Sequence, residues 1–120
     1  KATIHKAFGE AEAVLAGDSL HALAFEILAH PATHEDPWVR SDLVLELARA
    51  AGPAGMAGGQ MMDLVAEGQQ LDLPSITRLQ QLKTGALIEY SVEAACIMNK
   101  MPADARTPYR GYARNIGLAF

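Results

Sequence analysis

Apolar residues recur along this chain at helical rather than strand spacing. From Phe8 to Ala29 they fall nearly all round, through Val14, Leu15, Leu20, Leu23, Phe25, Ile27 and Leu28. A helix apolar on most sides predicts a central element surrounded by other helices. Thr3 stands before this pattern as a candidate cap, and Pro31 closes it, with residues 31–36 reading as a loop. Asp36-Pro37 is a strong start signal, an N-cap followed by proline at the first helical position. Val39, Leu43, Val44, Leu47 and Ala48 then alternate at helical period with Arg40, Asp42, Glu46 and Arg49, until Gly52-Pro53 breaks the run.

The stretch Gly58 to Gly68 organises the rest. At about 100° per residue it places Gln60, Asp63 and Glu67 on one narrow face and Met61, Leu64 and Val65 on the other, which is expected to face a core. Gly68 sits where a C-cap glycine belongs. Polar groups beside an apolar wall suit the border of a ligand cavity, and equally the wet side of an amphipathic helix. Asp72 is the next candidate cap, and Leu73, Ile76, Leu79, Leu82, Ala86 and Val92 predict one long helix to about Asn99. Its second half, from Ala86 to Met98, is the more apolar and the more deeply buried by expectation. Pro102 separates a last helix, roughly Ala103 to Phe120. No strand alternation and no internal repeat stands out, so the expected fold class is all-α, with residues 1–120 forming central helices of a single domain.

Composition sharpens the picture. Half of the 120 residues are hydrophobic and a fifth are charged, which suits a packed helical protein and not a disordered one. The net charge of −4 excludes a global basic field for nucleic acid or an anionic membrane. Cys96 is the single cysteine, lies in an apolar run and reads as a buried small residue. A reducing, cytoplasmic setting follows as the default. No apolar run reaches the ~20 residues of a membrane span, and no signal peptide is visible. The chain starts at Lys1 without methionine and stops in an apolar helical pattern, so an internal segment of a longer protein is expected.

Candidate chemistry is sparse. Lys83-Thr84-Gly85 sets an ammonium and a hydroxyl mid-helix, one turn before the buried stretch. The lysine suits a phosphate as a point charge, and the glycine suits a kink. The same three residues also fit a snorkelling lysine, an ordinary threonine and a packing glycine. Asp18, amid Ala and Leu, reads as structural. Pro31 breaks the helix that would align His30 with His34, so no zinc site is expected. No phosphate-binding glycine loop and no serine or cysteine nucleophile motif occurs.

Taken in order, several stretches resemble one family. They are His5-Lys6-Ala7-Phe8-Gly9-Glu10-Ala11, Leu15-Ala16-Gly17-Asp18-Ser19-Leu20, Ala22-Leu23-Ala24-Phe25-Glu26 and Gly55-Met56-Ala57-Gly58-Gly59-Gln60. Asp63-Leu64, Ala66-Glu67-Gly68, Leu82-Lys83-Thr84-Gly85-Ala86-Leu87-Ile88 and Ile116-Gly117-Leu118-Ala119-Phe120 complete them. Each piece is weak alone, but the ordered set is similar to the trans-prenyl diphosphate synthase (polyprenyl synthetase) family, on its bacterial, farnesyl-forming side.

The resemblance implies an isoprenoid-synthase-type helical bundle around a central cavity and a homodimer. It implies magnesium-dependent, head-to-tail joining of isopentenyl diphosphate to an allylic diphosphate. Lys83 matches the family lysine on the allylic diphosphate. The Lys83 carbonyl and the Thr84 hydroxyl match groups that face the developing cation. Gln60 and Asp63 match cavity-lining residues, Asp63 near metal-bound water. Asp18 and Glu10 stay structural. The family's two aspartate-rich magnesium motifs are absent from these residues, their expected places being just before Lys1 and just after Phe120. Two readings follow: a short-chain prenyl diphosphate synthase when whole, or a non-catalytic helical relative serving as a binding or subunit-interaction module. An inactive fragment is a third.

Overall fold

Proline, glycine and aspartate set the helix boundaries in the computed structural model, which describes residues 1–120. A short α1 (Ile4–Ala7) is separated by Phe8 and Gly9 from α2 (Glu10–Ala29). Thr3 holds the cap position of α1, but its side chain makes no capping bond. α3 (Pro37–Ala51) starts as expected, with the Asp36 carboxylate accepting from the Trp38 amide at 2.9 Å. α4 (Met56–Val65) follows the Gly52-Pro53 break, and Gly68 lies three residues beyond it, at φ 81°, in the turn that follows rather than at the cap. α5 (Leu73–Gln80) begins at Asp72, whose carboxylate accepts from the Ser75 amide at 3.0 Å.

The long helix expected from Leu73 runs through to Met98 with one irregularity. A π-turn, Gln81–Gly85, joins α5 to α6 (Ala86–Met98). The last helix begins later than its pattern suggests: a 3₁₀ turn, Asp104–Arg106, precedes α7 (Thr107–Ala119). There is no strand, and the fold is all-α.

Side by side, the helices run α2, α3, α6, α7, with α4 and α5 gathered at the π-turn. The core is small: Val39 and Leu43 of α3 meet Ile97 of α6, with Leu28 and Ala94 against them. Cys96 is buried as its apolar surroundings predict. Polar links tie the row together. The Tyr90 hydroxyl donates to the Leu43 carbonyl at 3.0 Å, and Lys100 pairs with Asp36 at 2.7 Å. His34 accepts from the Asp36 amide on Nδ1 and therefore donates through Nε2 to the Met98 carbonyl, 3.1 Å away.

Two expectations fail. α2 is not a central helix: none of its residues is buried, and Val14, Leu15 and Leu20 are each more than 60% exposed. Its main neighbours are α1 and α3, and so few neighbours cover only part of a helix that is apolar all round. Nor do Met61, Leu64 and Val65 face a core; Met61 is 61% exposed. The one residue that α4 buries is Gly59. Asp18, exposed on α2, needs no partner.

Candidate active site

The π-turn carries the chemistry that the sequence singles out. In α-helical register the Ala86 amide would bond to the Leu82 carbonyl. Here it reaches five residues back, to the Gln81 carbonyl. Gly85, at the end of the turn, is buried, and Gly117 of α7 comes so close that a Cβ on it would stand 3.1 Å from the Gly85 Cα. The absence of side chains lets α7 seat itself on the turn.

α4 seats itself from the other direction. Its Gly59 lies against the backbone of Leu82 and Lys83, where a Cβ would stand 2.7 Å from the Lys83 Cα. One helical turn later, the Asp63 Oδ2 accepts a hydrogen bond from the Lys83 Nζ at 2.6 Å. The fold therefore brings together two predicted site residues that lie 20 apart in sequence. Thr84 follows Lys83 on the same turn, half-buried, while Gln60 is exposed on α4 beside Gly59. Asp63 also borders a cleft of about 330 Å³ between α4 and α5, together with Glu67 and Ile76.

The Lys83–Asp63 pair is about two-fifths exposed on each side. Pairs in water of this kind contribute about 0.2–1 kcal/mol, because high dielectric weakens the attraction and two long side chains lose freedom. A more highly charged anion can displace the carboxylate from such a lysine at little cost. Magnesium has no cage here: nowhere do three His, Cys, Asp or Glu side chains converge.

A larger cavity, about 560 Å³, lies between α3, α6 and α7, and none of the four predicted residues lines it. Its arginines are already matched. Arg49 pairs with Glu46 at 2.7 Å, Arg110 with Glu93 at 2.7 Å, and Arg114 with Glu89 at 3.6 Å. Glu93 is the hub, accepting from two nitrogens of Arg110 and one of Arg106. Hydrogen bonds from Arg110, opposed by desolvation and helped by Arg106, hold its carboxyl below the ordinary value of 4.5. Burial, aided by Glu46, raises the Tyr90 phenol. Glu93 braces α6 against α7, Tyr90 braces α6 against α3, and each arginine of the cavity lies within 4 Å of a carboxylate.

The sequence reading missed Gly59 as a site residue. The Gly58-Gly59 pair was its only signal, since paired glycines inside a helical pattern often mark a close backbone approach.

The polyprenyl synthetase family model matches residues 1–120. A farnesyl diphosphate synthase of Geobacillus stearothermophilus is 40% identical over the whole chain, and that of Escherichia coli K12 is 43% identical over 98% of it. The chain spans about two-fifths of those relatives, 41% and 40% of their lengths. Among solved structures, an FPP/GFPP synthase from Zymomonas mobilis superimposes with a TM-score of 0.95 at 55% identity, covering 99% of this chain and 43% of that one. A putative farnesyl-diphosphate synthase from a Marinomonas species gives 0.92 at 39% identity, covering 98% and 44%. With the family model matched from the first residue to the last, and the same helical arrangement in these synthases, the chain belongs to the polyprenyl synthetase family.

Proposed function

We propose that this chain is part of a short-chain prenyl diphosphate synthase that condenses isopentenyl diphosphate head-to-tail with dimethylallyl or geranyl diphosphate. Farnesyl diphosphate is the favoured product, in keeping with the names of the relatives. The observation that carries the proposal is the Lys83 ammonium on the π-turn, 2.6 Å from Asp63 in a pair weak enough to exchange.

In this reading the lysine trades Asp63 for the allylic diphosphate. The allylic C–O bond breaks, diphosphate departs with the electron pair, and positive charge develops on the allylic carbons. The isopentenyl double bond attacks to form the new C–C bond, and a proton leaves. Lys83 steadies the departing anion, with its own backbone carbonyl and the Thr84 hydroxyl facing the cation. Gln60 and Asp63 line the cavity in which this happens, as the family resemblance implies. Magnesium belongs to the whole protein in this proposal and finds no ligand set among these residues. No helix is long and apolar enough to cross a membrane, and a cytoplasmic homodimer is what the family resemblance implies. The apolar residues left exposed on α2 offer surface for a second copy.

The test is Lys83→Ala in the full-length protein, assayed with magnesium and both diphosphates. Turnover should fall about 10²–10³-fold, as when one transition-state donor is removed, while circular dichroism and Tm stay put. Unchanged kcat would remove Lys83 from the chemistry.

A further inference from the structure

α4 holds Lys83 at both ends. At the backbone, Gly59 is buried against the π-turn, and a Cβ there would stand 2.7 Å from the Lys83 Cα and 2.8 Å from the Leu82 carbonyl carbon, nearer still to the Lys83 amide nitrogen. The obstructing atoms are backbone, so no rotamer change relieves the clash; α4 would have to move off the turn. At the far end, the Asp63 carboxylate takes the ammonium at 2.6 Å. Residues four apart share a helix face, so Gly59 and Asp63 present one continuous edge to one lysine. A lysine on its flexible four-carbon stem otherwise samples many rotamers.

We infer that α4 is the positioning element of the site, with Gly59 as the backbone seat of Lys83 and Asp63 as the tether of its ammonium. The lysine is aimed before any diphosphate arrives. The inference rests on reading Lys83 as the diphosphate ligand. Gly59 touches no substrate in this role and acts through Lys83 alone. Asp63 acts by the same route, which differs from serving on its own through a metal-bound water.

A double-mutant cycle separates these possibilities. Gly59→Ala, Asp63→Asn and Lys83→Ala, with each of the first two combined with the third, are assayed in the full-length protein with magnesium, isopentenyl diphosphate and geranyl diphosphate. Gly59→Ala and Asp63→Asn should each lower kcat/KM, the quantity measured from the free enzyme, by roughly tenfold to a hundredfold, since displacements of about 1 Å cost that much. Neither should lower it further once Lys83 is alanine, the non-additivity expected of groups acting through one another. Wild-type kcat/KM in the single variants overturns the inference, and so does a loss that persists in full beside Lys83→Ala. Should Gly59→Ala fail to fold by circular dichroism, Asp63→Asn decides by the same criterion, because its half-exposed side chain is not needed for packing. Unchanged kcat in Lys83→Ala itself is a separate outcome: it removes the reading of the site on which the inference stands.

Discussion

Glu93 shows how much one side chain carries in this chain. It reaches from α6 to Arg110 of α7 and to Arg106 of the preceding 3₁₀ turn, and its side chain is only 12% exposed. Its carboxyl is held below the ordinary 4.5 of an unfolded glutamate, first by Arg110 and then, against desolvation, by Arg106. A group whose folded pKa is depressed stabilises fully above its unfolded value, and that contribution drains away as pH falls through the folded value. Glu93→Gln should therefore destabilise by about 1–3 kcal/mol near neutral pH, the range for hydrogen bonds to charged groups. The gap to wild type should stay level down to about pH 5 and close below it. Urea midpoints taken from pH 7 to pH 3 check this, and a gap that persists undiminished at pH 3 contradicts it. Such a hub was invisible along the sequence, where Glu93, Arg106 and Arg110 lie in separate elements with nothing to pair them.

At the scale of elements, start and stop signals were readable because they are local chemistry. Asp36 and Asp72 bond amides two and three residues away, and a neighbouring proline presets the first turn in each case. Asp72→Ala should lower stability by about 1 kcal/mol. Thr3→Ala should change it by less than about 0.5 kcal/mol, since the Thr3 hydroxyl caps nothing. Denaturant midpoints of the two variants, taken side by side, distinguish a working cap from a nominal one; equal losses would refute the distinction. Faces were harder to read than boundaries. Periodicity separates Met61, Leu64 and Val65 from Asp63 but does not say which side a neighbour occupies. Backbone approach at Gly59 decided the matter, turning Gly59 and Asp63 toward Lys83 while Met61, Leu64 and Val65 stay exposed. The π-turn escaped for a related reason: Gly85 hints at a kink, yet nothing in residue spacing distinguishes a five-residue hydrogen-bond ring from a four-residue one. Lys83 and Asp63 were each singled out by pattern with a bland reading beside it, the resemblance gave them their roles, and only the fold shows that they meet.

For the whole molecule, burial sets the expectation. Only 10 of 120 residues are buried, and no large side chain other than Leu43 is fully so. The radius of gyration is 16.5 Å, against about 14 Å for a compact domain of this length. Large apolar surfaces stay open on two sides: the length of α2, and a groove of about 450 Å³ walled by Met61, Met62, Val65 and Leu71. The many hydrogen bonds of the helices hold without these surfaces being covered, whereas tight tertiary packing does not. A protein consisting of these 120 residues alone should therefore keep strong helical far-UV dichroism while binding the dye ANS, and should unfold in urea over a broad range. That combination marks secondary structure without fixed packing. In the full-length protein the same residues should give a steep transition and negligible dye binding. A sharp, cooperative transition for the 120 residues by themselves, coincident in dichroism and fluorescence, would mean that the small core of Val39, Leu43 and Ile97 suffices.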